Sequence, residues 1–257
     1  MKAIILAAGK GSRLGNLTKD KPKGMLDFFG KTILERQIEL FRKCNINKII
    51  IVTGYQSHCI QYNGVKLYKN NNFEASNMIE SLMSARDEFN DDVIVSYSDI
   101  LFSKNLLTNL INNENKICVS VDSEWKEYWL KRYGSLKEDL ERLDISEEGK
   151  IIHIGSETQD ATDLKFRYIG LNKFSEKSLK VITKIYDKKK DINENWNPSN
   201  NKFMQGYMTD LIQEVIDSGI AVYASINKHN WLEIDTENDY ELATKLYKNK
   251  SFQLFNE

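Results

Sequence analysis

The chain has 257 residues, of which 41% are hydrophobic and 28% are charged, and its formal net charge is −1. This composition is that of an ordinary soluble globular protein and excludes a mainly disordered chain. The longest apolar runs fall far short of the roughly eighteen residues that a membrane-spanning helix needs. The near-zero net charge argues against a general nucleic-acid binder. The three cysteines match no metal or redox spacing, and Met1 leads directly into a strand-like run without a signal peptide, so we expect a cytoplasmic protein.

Glycine and positive charge are concentrated at the N-terminal end. The first 36 residues contain eight Lys or Arg residues and three Asp or Glu residues, and five of the thirteen glycines fall within the first thirty. Pro22, one of only two prolines, lies in the same segment. Such a local excess of positive charge predicts an anionic ligand there.

The first half of the chain alternates between strand and helix patterns. Apolar or β-branched runs predict strands, and apolar residues at helical spacing predict helices: strands at 2–8, 48–53, 93–98 and 116–121, and helices at 32–44 and 77–88. The two helices begin at Thr32 and Asn77 with the sequence of a capping box. Alternation of this kind predicts crossover connections and a parallel sheet.

The pattern changes over residues 122–165. Charged residues alternate with aromatic ones, and a glycine turn then joins two short strand-like runs between 143 and 154. We expect this segment to be an insertion that forms a small β-containing lid over the edge of the sheet. The remaining pattern predicts a strand at 167–174, a helix at 177–190, a polar loop at 191–201, and helix, strand, strand and helix at 208–218, 221–226, 231–235 and 236–248.

Neither an internal repeat nor a long linker divides the chain. We therefore predict a single domain over residues 1–257. Its fold class is α/β, with a Rossmann-like, mixed but mainly parallel sheet that is flanked by helices.

The first predicted strand runs into a glycine-rich loop, Leu-Ala-Ala-Gly-Lys-Gly-Ser-Arg-Leu, at residues 6–14. Glycines let backbone N–H groups approach an anion, and Lys10 and Arg13 add charge, so a phosphate-bearing ligand is expected. A dinucleotide-binding loop would need a glycine where the chain has Leu14, and the run 30–32 lacks a glycine at the distance of a Walker motif. A ligand-free turn would explain the glycines but not the cations.

This loop, together with Lys21-Pro22-Lys23 and Gly30-Lys31, resembles the N-terminal signature of nucleotidyltransferases that make nucleoside-diphosphate sugars and CDP-alcohols. In that family an acceptor phosphate attacks the α-phosphorus of a nucleoside triphosphate and pyrophosphate leaves. The resemblance implies that Arg13 neutralises the leaving phosphates and that Lys23 contacts the α-phosphate or the acceptor phosphate. A solvated basic loop is the alternative for Lys21 and Lys23. Many sugar-nucleotide members have a proline where this chain has Gly15-Asn16.

The segment 74–82 resembles the Asn-x-x-Ser-Leu stretch of the cytidylyltransferase branch. There Ser76 and Asn77 are placed to reach a pyrimidine edge, although a simple helix N-cap explains them equally well. The resemblance implies a nucleotide site formed by Leu6, Ala7, Ala8, Gly9, Lys10, Gly11, Ser12, Ser76, Asn77 and Ser98.

Two aspartates each end a predicted strand. Asp99 follows the run 93–98, and Asp235 closes the run 231–235. Open α/β sheets bind ligands at the carboxyl ends of their strands, and Mg²⁺ prefers hard oxygen ligands. The resemblance implies that the two aspartates share a Mg²⁺ ion, whereas a helix N-cap or a strand-end turn is the alternative for each.

The pattern Trp125-x-x-Tyr128-x-x-x-Arg132 resembles cytidylyltransferases that act on phosphocholine, aminoethylphosphonate and related phosphorylated amines. Aromatic faces with an acid suit an ammonium group, and an arginine suits a phosphate, phosphonate or carboxylate. The expected acceptor-binding residues are Trp125, Tyr128, Arg132, Tyr168, Trp231 and Glu233. A packed amphipathic helix with core aromatics is an equally simple interpretation of 125–133.

We therefore predict a Mg²⁺-dependent cytidylyltransferase that transfers CMP from CTP to a small phosphorylated amine or amino acid and releases pyrophosphate. The narrowest expectation is glutamine phosphate, which would give CDP-glutamine for capsular polysaccharide modification; phosphocholine and 2-aminoethylphosphonate are the others. A sugar-1-phosphate nucleotidyltransferase that uses UTP or dTTP, and a catalytically silent nucleotide-binding module, are the alternatives. Neither nucleic acid nor a membrane is an expected partner, and homo-oligomerisation is left open.

Overall fold

A computed structural model of the chain describes residues 1–249. In this part of the chain the strands are Lys2–Ala7 (β1), Lys48–Thr53 (β2), Val65–Lys69 (β3), Val93–Tyr97 (β4), Ile100–Phe102 (β5), Ile117–Asp122 (β6), Glu141–Ile145 (β7), Ile151–Glu157 (β8), Arg167–Phe174 (β9), Tyr223–Asn227 (β10) and Trp231–Glu233 (β11). The α-helices are Ile33–Lys43 (α1), Met78–Ser84 (α2), Lys104–Asn112 (α3), Trp125–Tyr133 (α4), Glu176–Ile192 (α5), Met208–Asp217 (α6) and Glu237–Lys248 (α7).

Seven of these strands form the central sheet in the order β10-β6-β9-β4-β1-β2-β3. The strand β1 lies between β2 and β4 and is parallel to both, with Ile4 opposite Ile50 on one side and Val95 on the other. The strand β9 is antiparallel to its neighbours β4 and β6, which makes the sheet mixed. The predicted fold class, a mixed but mainly parallel sheet flanked by helices, is confirmed.

Both faces of the sheet are covered. Alternate residues of β1 belong to two different apolar clusters, with Ala3 and Ile5 in one and Ile4 and Leu6 in the other. All six residues of this strand are buried, as expected for a parallel strand between two helical layers. Burial on both faces holds β1 in one position and direction in the sheet. The glycine-rich loop starts at the carboxyl end of this strand.

Two small antiparallel pairs complete the sheet structure. The hairpin β7–β8, predicted from the glycine turn, is present, and its strand β8 packs on α6. The strand β11 pairs with β5, so the two segments that carry Asp235 and Asp99 lie side by side. Three elements, β3, β5 and α3, were not predicted from the sequence.

The caps of two helices differ in detail from the prediction. Thr32 accepts a hydrogen bond from the Glu35 backbone N–H, which is the first half of the predicted capping box of α1; the return bond to the Glu35 carboxylate is absent within residues 1–249. Asn77 caps α2 through the N–H of Met78, but the predicted capping box there is wrong, because Glu80 accepts a hydrogen bond from the Tyr186 hydroxyl at 2.6 Å. Among the helices of residues 1–249, none combines the length and apolar character that crossing a bilayer requires.

Candidate active site

The glycine-rich loop turns sharply after β1. Gly11 and Gly15 have φ angles of +70° and +51°, a region that glycine adopts far more readily than other residues. Two hydrogen bonds to the Gly11 carbonyl close the turn, one from the Leu14 N–H at 3.0 Å and one from the Thr18 hydroxyl at 2.8 Å. A Cβ atom at Gly11 would lie 2.9 Å from Cβ of Lys23, so this glycine lets the loop pack against the lysine.

Four charged residues that are distant in sequence meet beside this loop. The Lys23 ammonium forms an ion pair with Asp99 and lies 3.3 Å from Oδ1 of Asp235. The Arg13 guanidinium pairs with Oδ2 of Asp235. The lysine and both aspartates are largely buried, whereas the side chain of Arg13 is 68% exposed. Arg13 can therefore turn toward a ligand at little desolvation cost.

Burial and charge oppose each other at this cluster. Burial alone would lower the pKa of Lys23, but Asp99 and Asp235 together hold that pKa above its ordinary value. Burial raises the pKa of Asp99, and the adjacent lysine opposes this shift. One oxygen of Asp99, Oδ1, is buried and has no hydrogen-bond partner among residues 1–249. Removing the lysine would leave a poorly solvated carboxylate beside a second one.

The two aspartates supply donors that fit a divalent cation. Their carboxylate oxygens are hard ligands, and Asp99 Oδ1 is already free of protein partners. Within residues 1–249 no set of three or more His, Cys, Asp or Glu side chains is arranged to hold a metal. An ion held by Asp99 and Asp235 would thus take its remaining ligands from water or from substrate oxygens.

A cavity of about 230 Å³ opens beside the loop, and Arg13, Lys23, Asp99 and Asp235 line it. Eight of the ten residues predicted for the nucleotide also line it: Leu6, Ala8, Gly9, Gly11, Ser12, Ser76, Asn77 and Ser98. Ala7 does not, because it belongs to the apolar core, and Lys10 does not, because its ammonium lies 5.5 Å from the ring centroid of Tyr55. Contact of the nucleotide with these residues remains a prediction.

A second cavity, of about 470 Å³, adjoins the first. Arg13, Met78, Tyr97 and Asp235 line both cavities. Three of the predicted acceptor-binding residues, Tyr168, Trp231 and Glu233, line the second cavity. The arrangement provides two adjoining compartments, and two members of the charged cluster, Arg13 and Asp235, line both.

The other three predicted acceptor-binding residues do not reach this cavity. Trp125 and Tyr128 are 1% and 2% exposed, and they pack in the apolar core. The Arg132 side chain is 1% exposed, with Nε and Nη2 each 2.8 Å from a different oxygen of Asp239 and Nη1 on Glu233. Helix α4 turns this face toward the core, so the structure does not bring these three side chains to the cavity, and their contact with the acceptor stays a prediction.

Sequence reasoning also missed residues that line the cavities. Tyr97 precedes Ser98 and Asp99 at the end of β4, so its place at a strand's carboxyl end could have indicated it. Glu141 and Arg167 line the larger cavity from β7 and β9. Only the register of the hairpin and of the sheet brings them there, and no local motif marks them.

Comparison with known proteins gives concordant results. Residues 3–159 match the family described as the MobA-like NTP transferase domain. The chain is 33% identical over 253 residues to a CTP:phosphoglutamine cytidylyltransferase of Campylobacter jejuni, which covers 94% of this chain and 98% of the relative. It is 27% identical over 258 residues to a choline-phosphate cytidylyltransferase of Streptococcus pneumoniae, with 98% and 100% covered. The fold is similar to the solved structure of a CTP:phosphocholine cytidylyltransferase from Streptococcus pneumoniae, with a TM-score of 0.75 and 24% identity over 96% of this chain and 98% of that one.

Proposed function

The chain belongs to the MobA-like NTP transferase family and is a nucleotidyltransferase, and on that basis we propose that it transfers CMP from CTP to a small phosphorylated amine or amino acid. Pyrophosphate is the second product. The observation that carries the proposal is the cluster of Arg13, Lys23, Asp99 and Asp235, which lines one cavity and reaches the adjoining one through Arg13 and Asp235. One cavity suits a nucleotide, and the other suits a small acceptor.

The reaction brings two polyanions together, so the protein has to position them and neutralise their charge. An acceptor phosphate oxygen forms a bond to the α-phosphorus of CTP while the bond from that phosphorus to the β-phosphate oxygen breaks. The attacking oxygen is already ionised at neutral pH, and no side chain has to remove a proton from it. Lys23 lines the nucleotide cavity and lies 3.3 Å from Asp235, which lines both cavities. We assign this ammonium to the α-phosphate or the acceptor phosphate.

Arg13 has the mobility that a leaving-group contact requires. Its side chain is largely exposed, and in the described part of the chain, residues 1–249, its one ion pair is with Asp235. Exchange of that carboxylate for the β- and γ-phosphates would replace one charge-assisted contact by another. We assign Arg13 to the leaving pyrophosphate.

We assign Asp99 and Asp235 to a Mg²⁺ ion, in keeping with their hard oxygen donors. When bound, the ion neutralises charge on the triphosphate as pyrophosphate leaves. The lysine beside them keeps the two carboxylates paired with positive charge.

The charge of the larger cavity favours a cationic acceptor. Apart from the residues shared with the nucleotide cavity, it is lined by four acidic and two basic side chains: Asp139, Glu141, Glu157 and Glu233, and Lys137 and Arg167. An ammonium group would be attracted by this excess of negative charge, whereas a neutral sugar ring could offer the carboxylates only hydroxyl hydrogen bonds. The 33% identical relative makes L-glutamine phosphate the narrowest acceptor that we propose.

The test is pyrophosphate release from each of CTP, UTP, dTTP and ATP, in Mg²⁺, with separate pools of phosphoamines, phosphoamino acids and sugar 1-phosphates. We expect release with CTP and an amine-containing pool. Lys180→Ala, which removes an exposed lysine on α5 paired only with Glu176, is the control for loss of one positive charge. Release with UTP and a sugar phosphate alone would overturn the proposal, and CTP binding without release from any pool would favour a silent nucleotide-binding module.

A further inference from the structure

The carboxylate of Glu141 has no hydrogen-bond or ion-pair partner within residues 1–249, although it lines the larger cavity. Its partner in the hairpin register is a second glutamate, Glu157 on β8, which lines the same cavity. Like charges directly opposite each other destabilise a strand pair. A cation bound between the two glutamates would relieve the repulsion between their carboxylates.

The surroundings of Glu141 make this charge costly. Burial raises the pKa of Glu141 to about 7; Arg167 on β9 opposes the shift, and Asp139, Glu233 and Asp210 add to it. Arg167 does not compensate fully, because both of its terminal nitrogens bind Asp139. Arg167 is 8% exposed, and its buried Nε has no hydrogen-bond partner. This wall of the cavity therefore carries unsatisfied groups of both signs, which points to a polar, charged ligand.

The aromatic side chains near this wall already contact arginine side chains of the protein. The Arg167 guanidinium lies 4.3 Å from the ring centroid of Trp129, and the Arg132 guanidinium lies 4.7 Å from the same ring and 5.6 Å from that of Tyr128. A quaternary ammonium, which has no N–H bonds, is recognised mainly by aromatic faces. Here the protein's own arginines occupy the faces that would form such a cage.

The aromatic residues that do line the cavity present little free ring surface to a cation. Trp231 is 1% exposed, and the rings of Tyr97 and Tyr168 pack edge-to-face on each other at 6.0 Å. An unpaired carboxylate is thus the strongest feature that the cavity presents to a cation.

We propose that Glu141 binds the ammonium group of the acceptor, and that this ammonium carries N–H bonds, as in a primary amine or an α-amino acid. The inference rests on the proposed function, since it assigns the acceptor of that same site. An N–H donor forms a charge-assisted hydrogen bond with a desolvated carboxylate, which an N-trimethylated group cannot do. The cation also favours the ionised form of Glu141.

The experiment compares phosphoethanolamine with phosphocholine, which differ only in the three methyl groups on nitrogen. Pyrophosphate release at saturating CTP is measured for the unmodified protein, Glu141→Gln and Glu148→Gln. Glu148 lies in the turn of the same hairpin, is exposed and is outside the cavity, so its substitution controls for loss of one negative charge. O-Phosphoserine serves as a second primary-amine acceptor.

We expect the unmodified protein to favour the primary amines over phosphocholine. Glu141→Gln should lower kcat/KM for them by roughly 10- to 100-fold, the effect of losing one hydrogen bond between charged groups, mainly through KM. Its value for phosphocholine should fall by less, because a trimethylammonium group loses the charge attraction but no hydrogen bond. Its calorimetric Kd for CTP should stay within about twofold, as should all values for Glu148→Gln. Unchanged CTP affinity and circular dichroism would show that the variant is folded.

Two other outcomes separate this inference from the function on which it rests. A preference for phosphocholine, or an unchanged selectivity in Glu141→Gln, would overturn the role of Glu141 and leave the cytidylyltransferase proposal in place. Turnover of sugar 1-phosphates alone would overturn both.

Discussion

Replacing Lys23 by alanine tests how much a buried ion pair contributes to stability and turnover, compared with an exposed ion pair of the same protein. The ammonium is in contact with Asp99 and 3.3 Å from Asp235, and the three side chains are 19%, 9% and 10% exposed. The substitution leaves Asp235 paired with Arg13, but it leaves Asp99 with no cation. The perturbation is therefore one uncompensated carboxylate in a poorly solvated place.

Breaking a buried pair by removing one partner costs about 3–5 kcal/mol of stability. Because Lys23 keeps some solvent contact and Arg13 remains on Asp235, we expect a loss near the lower end, about 3 kcal/mol. For a chain of this size that corresponds to a decrease in Tm of roughly 6–12 °C. Loss of the lysine raises the pKa of Asp99 further, so the deficit should be largest at pH 8 and smaller near pH 5, where the carboxyl begins to bind a proton.

The assays are thermal unfolding at pH 8 and pH 5 and pyrophosphate release at pH 8. Turnover should fall by at least about 100-fold, the scale of removing one electrostatic stabiliser. The control, Lys180→Ala, breaks an exposed i,i+4 pair with Glu176 and should change stability by less than about 0.5 kcal/mol. A Tm of Lys23→Ala within 2 °C of the unmodified protein (about the effect of 1 kcal/mol) would refute the reasoning from the buried ion pair. Turnover within about threefold would refute the placement of Lys23 at the reacting phosphates.

Three further predictions concern groups around the two cavities. Arg132→Met should lower the free energy of unfolding by about 3–5 kcal/mol in urea denaturation, because it leaves Asp239 buried without its cation; a smaller loss for Arg132→Lys would support this reason. Asp235→Asn should lose at least about 100-fold in turnover. We also expect Mg²⁺ to raise the Tm of the unmodified protein and to raise that of Asp235→Asn less; an equal rise in both would contradict the proposed role of Asp235 in binding Mg²⁺. Glu141→Gln should increase stability by about 1–3 kcal/mol at pH 8 and little at pH 4. The raised pKa of Glu141 means that burial destabilises only the ionised form, and this destabilisation develops between the unfolded-state pKa of about 4.3 and pH 7. An equal effect of the substitution at both pH values would contradict this reasoning.

The sequence predicted those parts of the molecule that are encoded locally. The glycine-rich loop and the strand before it form one continuous motif, and Asp99 follows the apolar run of β4, so each could be placed at a carboxyl end of the sheet. The two short strands β3 and β5 could not be placed in the same way. The strand β3 has mainly exposed residues and no apolar alternation, and β5 has only three residues.

Helix α4 shows why part of the site could not be predicted. Residues 125, 128 and 132 share one face of the helix, and this spacing is the same for a helix that binds a ligand and for one that packs on the core. The choice depends on a residue more than one hundred positions away, because Asp239 at the start of α7 draws the Arg132 guanidinium inward. Glu141 was missed for a related reason, since its isolation follows from what β8 and β9 place around it.

Asp239 gives the helix α4 an influence on the reaction without any contact with a substrate. Besides two bonds from Arg132, its carboxylate accepts hydrogen bonds from the backbone N–H groups of Asp235 and Thr236, at 3.2 and 2.9 Å. A single buried carboxylate thus ties α4, the first turn of α7 and the segment that carries Asp235 into one mechanical unit. Substitutions on the inner faces of either helix will be transmitted to the position of the Asp235 carboxylate, and their effects on turnover should be judged as displacements of that group.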